Sequence, residues 1–154
     1  MKHEYKKFQK ISEFLEKNEY FQVEQDLELI EDCKRTFVSR LYYSAFHCSI
    51  NFANRLSPYL SKNLQFIYQA NTAHGDIRGF YSKLSIRYTK KDIQEIFGDI
   101  SEKLEELHEY RKFCDYQEHV KRLDTVCFKS KNISQNIYYK LNQLHDLVDS
   151  IEKP

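Results

Sequence analysis

The chain has 154 residues, enough for one domain with a hydrophobic core. Its 24 Lys and Arg residues nearly balance its 23 Asp and Glu residues, which gives a formal net charge of +1. This balance excludes the overall basic excess typical of many nucleic-acid-binding proteins, so any RNA contact must use a local patch. Only three Gly and two Pro residues occur, and their scarcity argues against a sheet-based fold, whose turns depend on them. The composition therefore favours an all-α protein.

The four cysteines lie far apart in the sequence, at Cys33, Cys48, Cys114 and Cys127. None of them has the close spacing of a zinc site or a redox motif, which predicts a reduced, cytoplasmic setting. The first ten residues lack the apolar run of a secretory signal, and no stretch approaches the roughly 20 apolar residues that cross a bilayer. We therefore expect a cytoplasmic protein that binds no metal, needs no cofactor and does not associate with a membrane.

Apolar residues recur at helical spacing in several segments of the chain. A first helix is predicted over residues 5–17 and a short helical piece over residues 24–30. The second main helix is clearer, because apolar residues recur every three or four positions from Phe37 onwards. Asp32 is its predicted N-cap, and the pattern ends before Pro58, which disfavours a continued helix.

The later part of the chain predicts three more helices. A short helix is predicted after Thr72, and Thr89 or Asp92 is the predicted N-cap of the long amphipathic helix that follows. A last helix is predicted over roughly residues 124–151. Together these segments predict an up-and-down bundle of four or five helices in a single domain that covers residues 1–154.

Three short motifs occur in order along the chain. Residues 40–47 read R-L-Y-Y-S-A-F-H, residues 72–74 read T-A-H with Phe80 downstream, and residues 111–116 read R-K-F-C-D-Y. They resemble the R-x-Y-Y-A-x-F-H, T-H and R-x-x-A-D-Y motifs of short stand-alone HEPN proteins, with Cys114 in place of the Ala. That family contains RNA-cutting toxins and their non-catalytic relatives. The resemblance extends over most of the chain and implies a HEPN-like helical bundle that pairs as a homodimer.

The resemblance also implies a chemistry. In the ribonuclease members an Arg and a His near one helix end face their dimer mates across a cleft, and no metal is needed. The His takes the proton of the ribose 2′-hydroxyl, while the Arg stabilises the charge that grows on the phosphate. Arg111 matches that Arg, and Tyr116 occupies the first position where the family His would follow. His74 could supply the proton acceptor from another part of the bundle. The predicted catalytic residues are therefore Arg111, Tyr116 and His74.

Three further residues are predicted to bind substrate, each with a structural alternative. Asp115 shares a helix face with Arg111, four residues earlier, and either supports a phosphate ligand or ties that helix end to Arg40. The second main helix carries Arg40, Tyr43 and His47 along one line. This line forms either a hydrogen-bonded core seam or the wall of a cleft. Because buried polar groups are normally paired, the structural alternative is the expectation in both cases.

Two other patterns have ordinary surface interpretations. Glu105-x-x-His108 has the spacing of a di-iron ligand pair, but the second such motif that this site requires is missing, so a solvated helix face is expected. Tyr81 and Tyr88 lie among basic residues and could stack on single-stranded RNA. Acidic residues surround this group as well, which favours an ordinary charged surface.

The sequence thus leaves two functions from different classes. No His stands at the expected positions after Arg111, which makes catalysis doubtful and favours a dimeric interaction module of a toxin–antitoxin or defence system. Its expected partners are a second copy of the chain and a nucleotidyltransferase-type antitoxin or other defence protein, with RNA as a further candidate. The alternative is a metal-independent endoribonuclease toxin that cleaves RNA with Arg111 on the phosphate.

Overall fold

The computed structural model describes Lys10, residues 27–117 and residues 120–152. Across this part of the chain, four α-helices pack as a bundle and no β-strand occurs. They are α1 (Leu27–Leu56), α2 (Ala73–Arg87), α3 (Lys91–Tyr116) and α4 (Leu123–Glu152). The predicted all-α bundle is confirmed. The helix predicted over residues 5–17 lies, apart from Lys10, outside the described residues.

Helix α1 begins earlier than the sequence predicted. It runs without interruption from Leu27, so the described part of the piece predicted over residues 24–30 is its first turn. Asp32 lies inside this helix, and its prediction as the N-cap is wrong. The Glu31 carboxylate lies 2.5 Å from the Arg35 guanidinium one turn later. An ion pair between residues four apart stabilises the helical turn between them. This pair therefore favours a helix that includes Asp32.

The loop after α1 is fastened by one serine. Helix α1 ends at Leu56, as the proline two residues later predicted. The Ser57 hydroxyl then donates to the carbonyl of Ala53 at 2.7 Å and accepts from the backbone N–H of Phe66 at 2.8 Å. Phe66 is buried, with its ring 5.6 Å from that of Phe80 on α2. These contacts anchor the connection between α1 and α2.

The start of helix α3 differs from both sequence predictions. Its N-cap position is held by Lys90, so the predicted caps Thr89 and Asp92 are both wrong. Asp92 instead lies in the first turn of the helix. A negative charge there interacts favourably with the positive end of the helix dipole, so the acid stabilises this end from inside the helix.

All four helices contribute to the core, and α2 packs mainly against α3. Tyr81 is fully buried in it, and its hydroxyl donates to the carbonyl of Ser49 at 2.9 Å. Both interpretations of this ring, stacking on RNA and an ordinary charged surface, are therefore wrong. The Tyr138 hydroxyl likewise donates to the hydroxyl of Ser44. Among the described helices, none is both long and apolar enough to cross a membrane.

Candidate active site

Two histidines and two arginines from different helices meet beside α1. Helix α2 contributes His74 and Arg78 from its first turns, and α3 contributes His108 and Arg111 from its last third. Each pair is spaced by three or four residues, so its members project from one face of their helix. These four residues are called the histidine–arginine cluster below.

The two imidazole rings of the cluster stack on each other. Their centroids are 5.3 Å apart with an angle of 17° between the planes. The Tyr42 ring of α1 lies 5.5 Å from the His74 ring and 5.1 Å from the His108 ring. Phe46, one turn further along α1, lies 4.4 Å from His74. Both imidazoles are therefore held by aromatic side chains of α1.

Burial and positive charge keep both histidines neutral. Loss of hydration lowers the pKa of His74, and the nearby charges of Arg111 and Arg78 lower it further. The same effects, with Arg78 as the strongest charge, lower the pKa of His108 to about 4. A neutral imidazole carries one N–H donor and one nitrogen lone pair, so each ring can give one hydrogen bond and accept another.

A hydrogen bond joins the cluster to α1. The phenolic oxygen of Tyr42 lies 2.5 Å from Nδ1 of His74. Tyr42 is buried, and this loss of hydration raises the pKa of its hydroxyl well above the ordinary value. The phenol therefore keeps its proton and serves as a hydrogen-bond partner of fixed position.

Arg111 lies between two tyrosine rings and a carboxylate. Its guanidinium carbon is 5.3 Å from the ring centroid of Tyr43 and 5.8 Å from that of Tyr116. Its Nε lies 2.5 Å from the Asp115 carboxylate, and the Arg111 side chain is 15% exposed. Cation–π contacts and an ion pair thus hold the guanidinium in place at the edge of the cluster.

The end of α3 is tied to α1 by two side chains. The Ser39 hydroxyl donates to the second carboxylate oxygen of Asp115 at 2.5 Å. The Arg35 guanidinium donates to the carbonyls of Cys114 and Gln117, each at 2.7 Å. These carbonyls belong to the end of the helix, where no partner exists within the helix itself. Arg35 and Ser39 thus link this helix end to α1, the helix that also carries the predicted partner Arg40.

The remaining predicted site residues lie on partly exposed surface. His47 is exposed, with its ring 6.4 Å from that of Tyr43, so the interpretation of this line as a buried core seam is wrong. Arg40 is half-buried on α1. Tyr116 is 74% exposed at the last position of α3. The line from Arg40 to His47 is therefore partly exposed, and its member Tyr43 lies beside the cluster, with its ring 6.2 Å from that of His74.

Sequence reasoning missed two members of the cluster. His108 was assigned to a solvated helix face, but its side chain is only 16% exposed, so that interpretation is wrong. Glu105 does face solvent, where it pairs with Arg78 at 3.0 Å. Their spacing in the sequence could have indicated both residues, because His108 precedes Arg111 by three residues and Arg78 follows His74 by four. Among the described residues, no group of three or more His, Cys, Asp or Glu side chains could hold a metal ion.

Acid should destabilise the protein through His108. Because the folded protein lowers the pKa of His108 from 6.5 to about 4, the unfolded chain binds that proton more readily. The contribution of neutral His108 to the free energy of unfolding is complete above about pH 6.5 and is lost as the pH falls towards about 4. We expect the free energy of unfolding to fall by about 2 kcal/mol over this range. This is less than the full shift implies, because the ring keeps some contact with solvent.

Urea-induced unfolding followed by circular dichroism at about pH 7 and about pH 4.5 measures this loss. The loss should be smaller in His108→Gln, which has no titrating ring. The matched control is Arg87→Gln, at the exposed last position of α2, and it should follow the wild type. An equal acid loss in His108→Gln and in the wild type would contradict this assignment.

In the comparisons with known proteins, no family model, no curated protein and no solved structure matches this chain. The chemistry of the cluster's own side chains therefore carries the functional argument.

Proposed function

We propose that this chain is a HEPN-like ribonuclease that cleaves RNA without a metal ion. The observation that carries the proposal is the position of Arg111 beside two neutral histidines. The sequence made catalysis doubtful because residues 116–118 contain no His. His74 and His108 lie near Arg111 instead, and either ring could supply the imidazole that those positions lack.

Arg111 is suited to a phosphate group. Its ion pair with Asp115 is made through Nε, and an arginine has five N–H donors in a planar fork. Its two terminal nitrogens can therefore donate together to two phosphate oxygens. Arg78 adds a second positive charge, because its guanidinium is close enough to oppose protonation of both histidines. A phosphodiester at this place would meet two neutral imidazoles and two guanidinium groups, each of which is also paired with a carboxylate.

The proposed reaction uses the substrate's own 2′-hydroxyl as the nucleophile. A histidine takes the proton of that hydroxyl, and the 2′-oxygen forms a bond to the adjacent phosphorus. The bond from phosphorus to the 5′-oxygen of the next nucleotide breaks, and this oxygen takes up a proton. Arg111 stabilises the additional negative charge on the phosphate during the step. The products are a 2′,3′-cyclic phosphate and a 5′-hydroxyl end.

The test is incubation of the purified protein with mixed RNA in the presence of a chelator. We expect fragments that carry cyclic phosphate and 5′-hydroxyl ends. DNA of the same sequence is the matched control and should stay intact, because it lacks the 2′-hydroxyl. Folded protein that cuts no RNA between about pH 5 and about pH 9 would overturn the proposal.

A second candidate function is a homodimeric interaction module. The favouring observation is that two aromatic side chains, Phe113 and Tyr116, are exposed at the end of α3 beside Arg111. Exposed aromatic rings are typical of protein interfaces. Light scattering on the same preparation distinguishes the two: a stable dimer that leaves RNA intact supports the module. A nucleotidyltransferase-type antitoxin or another defence protein is its proposed further partner.

A further inference from the structure

The two histidines of the cluster have different surroundings, and this difference separates their roles. The phenolic oxygen of Tyr42 is hydrogen-bonded to Nδ1 of His74. A buried hydroxyl needs an acceptor, and among the described residues the acceptor of the Tyr42 hydroxyl is this nitrogen. Nδ1 of neutral His74 therefore carries the lone pair, and the ring proton lies on Nε2.

The surroundings of His108 favour the opposite arrangement. Its Nδ1 is buried without a hydrogen-bond partner among the described residues. A carboxylate oxygen of Glu109, which also pairs with Lys112 at 3.0 Å, lies 3.9 Å from this nitrogen. A negative charge at that distance favours the tautomer with the proton on Nδ1. The lone pair of neutral His108 is then on Nε2.

We propose that His108 is the proton acceptor of the cleavage reaction, while Tyr42 holds His74 as a neutral Nε2–H donor to the phosphate. This assignment of the reaction roles rests on the proposed ribonuclease function, whereas the assignment of the tautomers does not. The sequence predicted His74 as the proton acceptor, and the proposal transfers that role to His108. In the reaction the proton of the 2′-hydroxyl passes to Nε2 of His108 and is then released to the leaving 5′-oxygen.

The charges around His108 are compatible with this role. Tyr42 faces it from α1, His74 and Arg78 from α2, and Glu109 and Arg111 from α3 itself. Without substrate, burial and the two arginines keep the ring neutral. A bound phosphate places a negative charge among these groups and raises the proton affinity of the ring. The acceptor therefore becomes more basic only when substrate is present.

The tautomers can be tested without any activity. Long-range proton–nitrogen correlation spectra of protein labelled with ¹⁵N-histidine separate protonated from unprotonated ring nitrogens. His74→Gln and His108→Gln assign the signals. We expect His74 to be protonated at Nε2 and His108 at Nδ1 near neutral pH. In Tyr42→Phe, which loses only the hydroxyl, the His74 signals should shift towards a mixture of tautomers. A wild-type His74 protonated at Nδ1, or unchanged signals in Tyr42→Phe, would overturn the positioning role of Tyr42.

The reaction roles are tested by one matched pair of variants. A glutamine side chain can donate an N–H but cannot accept a proton at neutral pH. His108→Gln should therefore lose at least about 100-fold in cleavage rate, the usual contribution of a general base. His74→Gln should lose no more than about tenfold, because its amide keeps a donor.

The rate of His108→Gln should also lose the pH dependence that wild-type protein shows on the acidic side. If His74→Gln is the more impaired of the two, the roles are reversed and the inference fails. If wild-type protein cuts no RNA, the proposed function fails, and the spectra still decide the tautomers.

Discussion

Replacing Arg111 with alanine should reduce RNA cleavage by about 100- to 1000-fold while the bundle stays folded. The loss reflects the missing donors to the phosphate, and this range is the usual effect of removing one such donor. The fold should survive because Asp115 keeps its hydrogen bond to Ser39 and is partly exposed to solvent. We expect a stability loss of about 1–2 kcal/mol. Single-turnover cleavage and thermal unfolding of the same preparation measure both effects.

Two further variants make this prediction specific. Arg87→Ala is the matched control, because Arg87 is exposed at the last position of α2, about 20 Å along the helix from His74. It should cleave RNA like the wild type. Arg111→Lys keeps the charge without the planar fork and should be impaired by about tenfold. It also decides the question if Arg111→Ala fails to fold. Wild-type cleavage by a folded Arg111→Ala would exclude Arg111 from phosphate binding.

Replacing Leu104 with alanine should reduce the free energy of unfolding by about 2–5 kcal/mol. Leu104 is 1% exposed in the middle of α3 and belongs to the hydrophobic core of the bundle. The substitution removes buried methyl and methylene groups and leaves a cavity that the surrounding helices cannot fully close. Domains are commonly stable by only about 5–15 kcal/mol, so this is a large share of the total. Urea-induced unfolding followed by circular dichroism measures the change.

Ile86→Ala is the control for Leu104→Ala. Ile86 is 75% exposed on α2, so its substitution should change the free energy of unfolding by no more than about 0.5 kcal/mol. A loss of less than about 1 kcal/mol in Leu104→Ala would show that this face of α3 is not packed in the core.

The helices themselves followed from local pattern. The apolar stripe from Phe37 and the long stripe before Arg111 predicted helices that the structure contains. Their first residues were harder to predict, because several polar residues near each start could serve as a cap. Asp32 lies inside α1, and Lys90 takes the cap position before α3. Ion pairs and the helix dipole also favour acidic residues within a helix, so an acidic residue near the start of a helix need not be its N-cap.

The candidate site was only partly predictable. The motifs named Arg111 and His74, and the structure places both in one cluster. His108 had been assigned to solvent because acidic residues flank it in the sequence. Its ring nevertheless packs against Tyr42, whereas the side chains of Glu106 and Glu109 beside it in the sequence are exposed. Neighbours in sequence on a helix point in different directions, so local charge does not report the exposure of a single side chain.

The sequence by itself determined the helical class of this protein and the apolar face of each helix. Those features depend on backbone hydrogen bonds and side-chain periodicity within a few residues. Only the tertiary structure decided that His74 and His108 stack beneath Tyr42 and that Arg111 lies over Tyr43. Such contacts depend on how far each helix is rotated and where it crosses its neighbours. The whole core sets these quantities by close packing, and no single segment of sequence contains them.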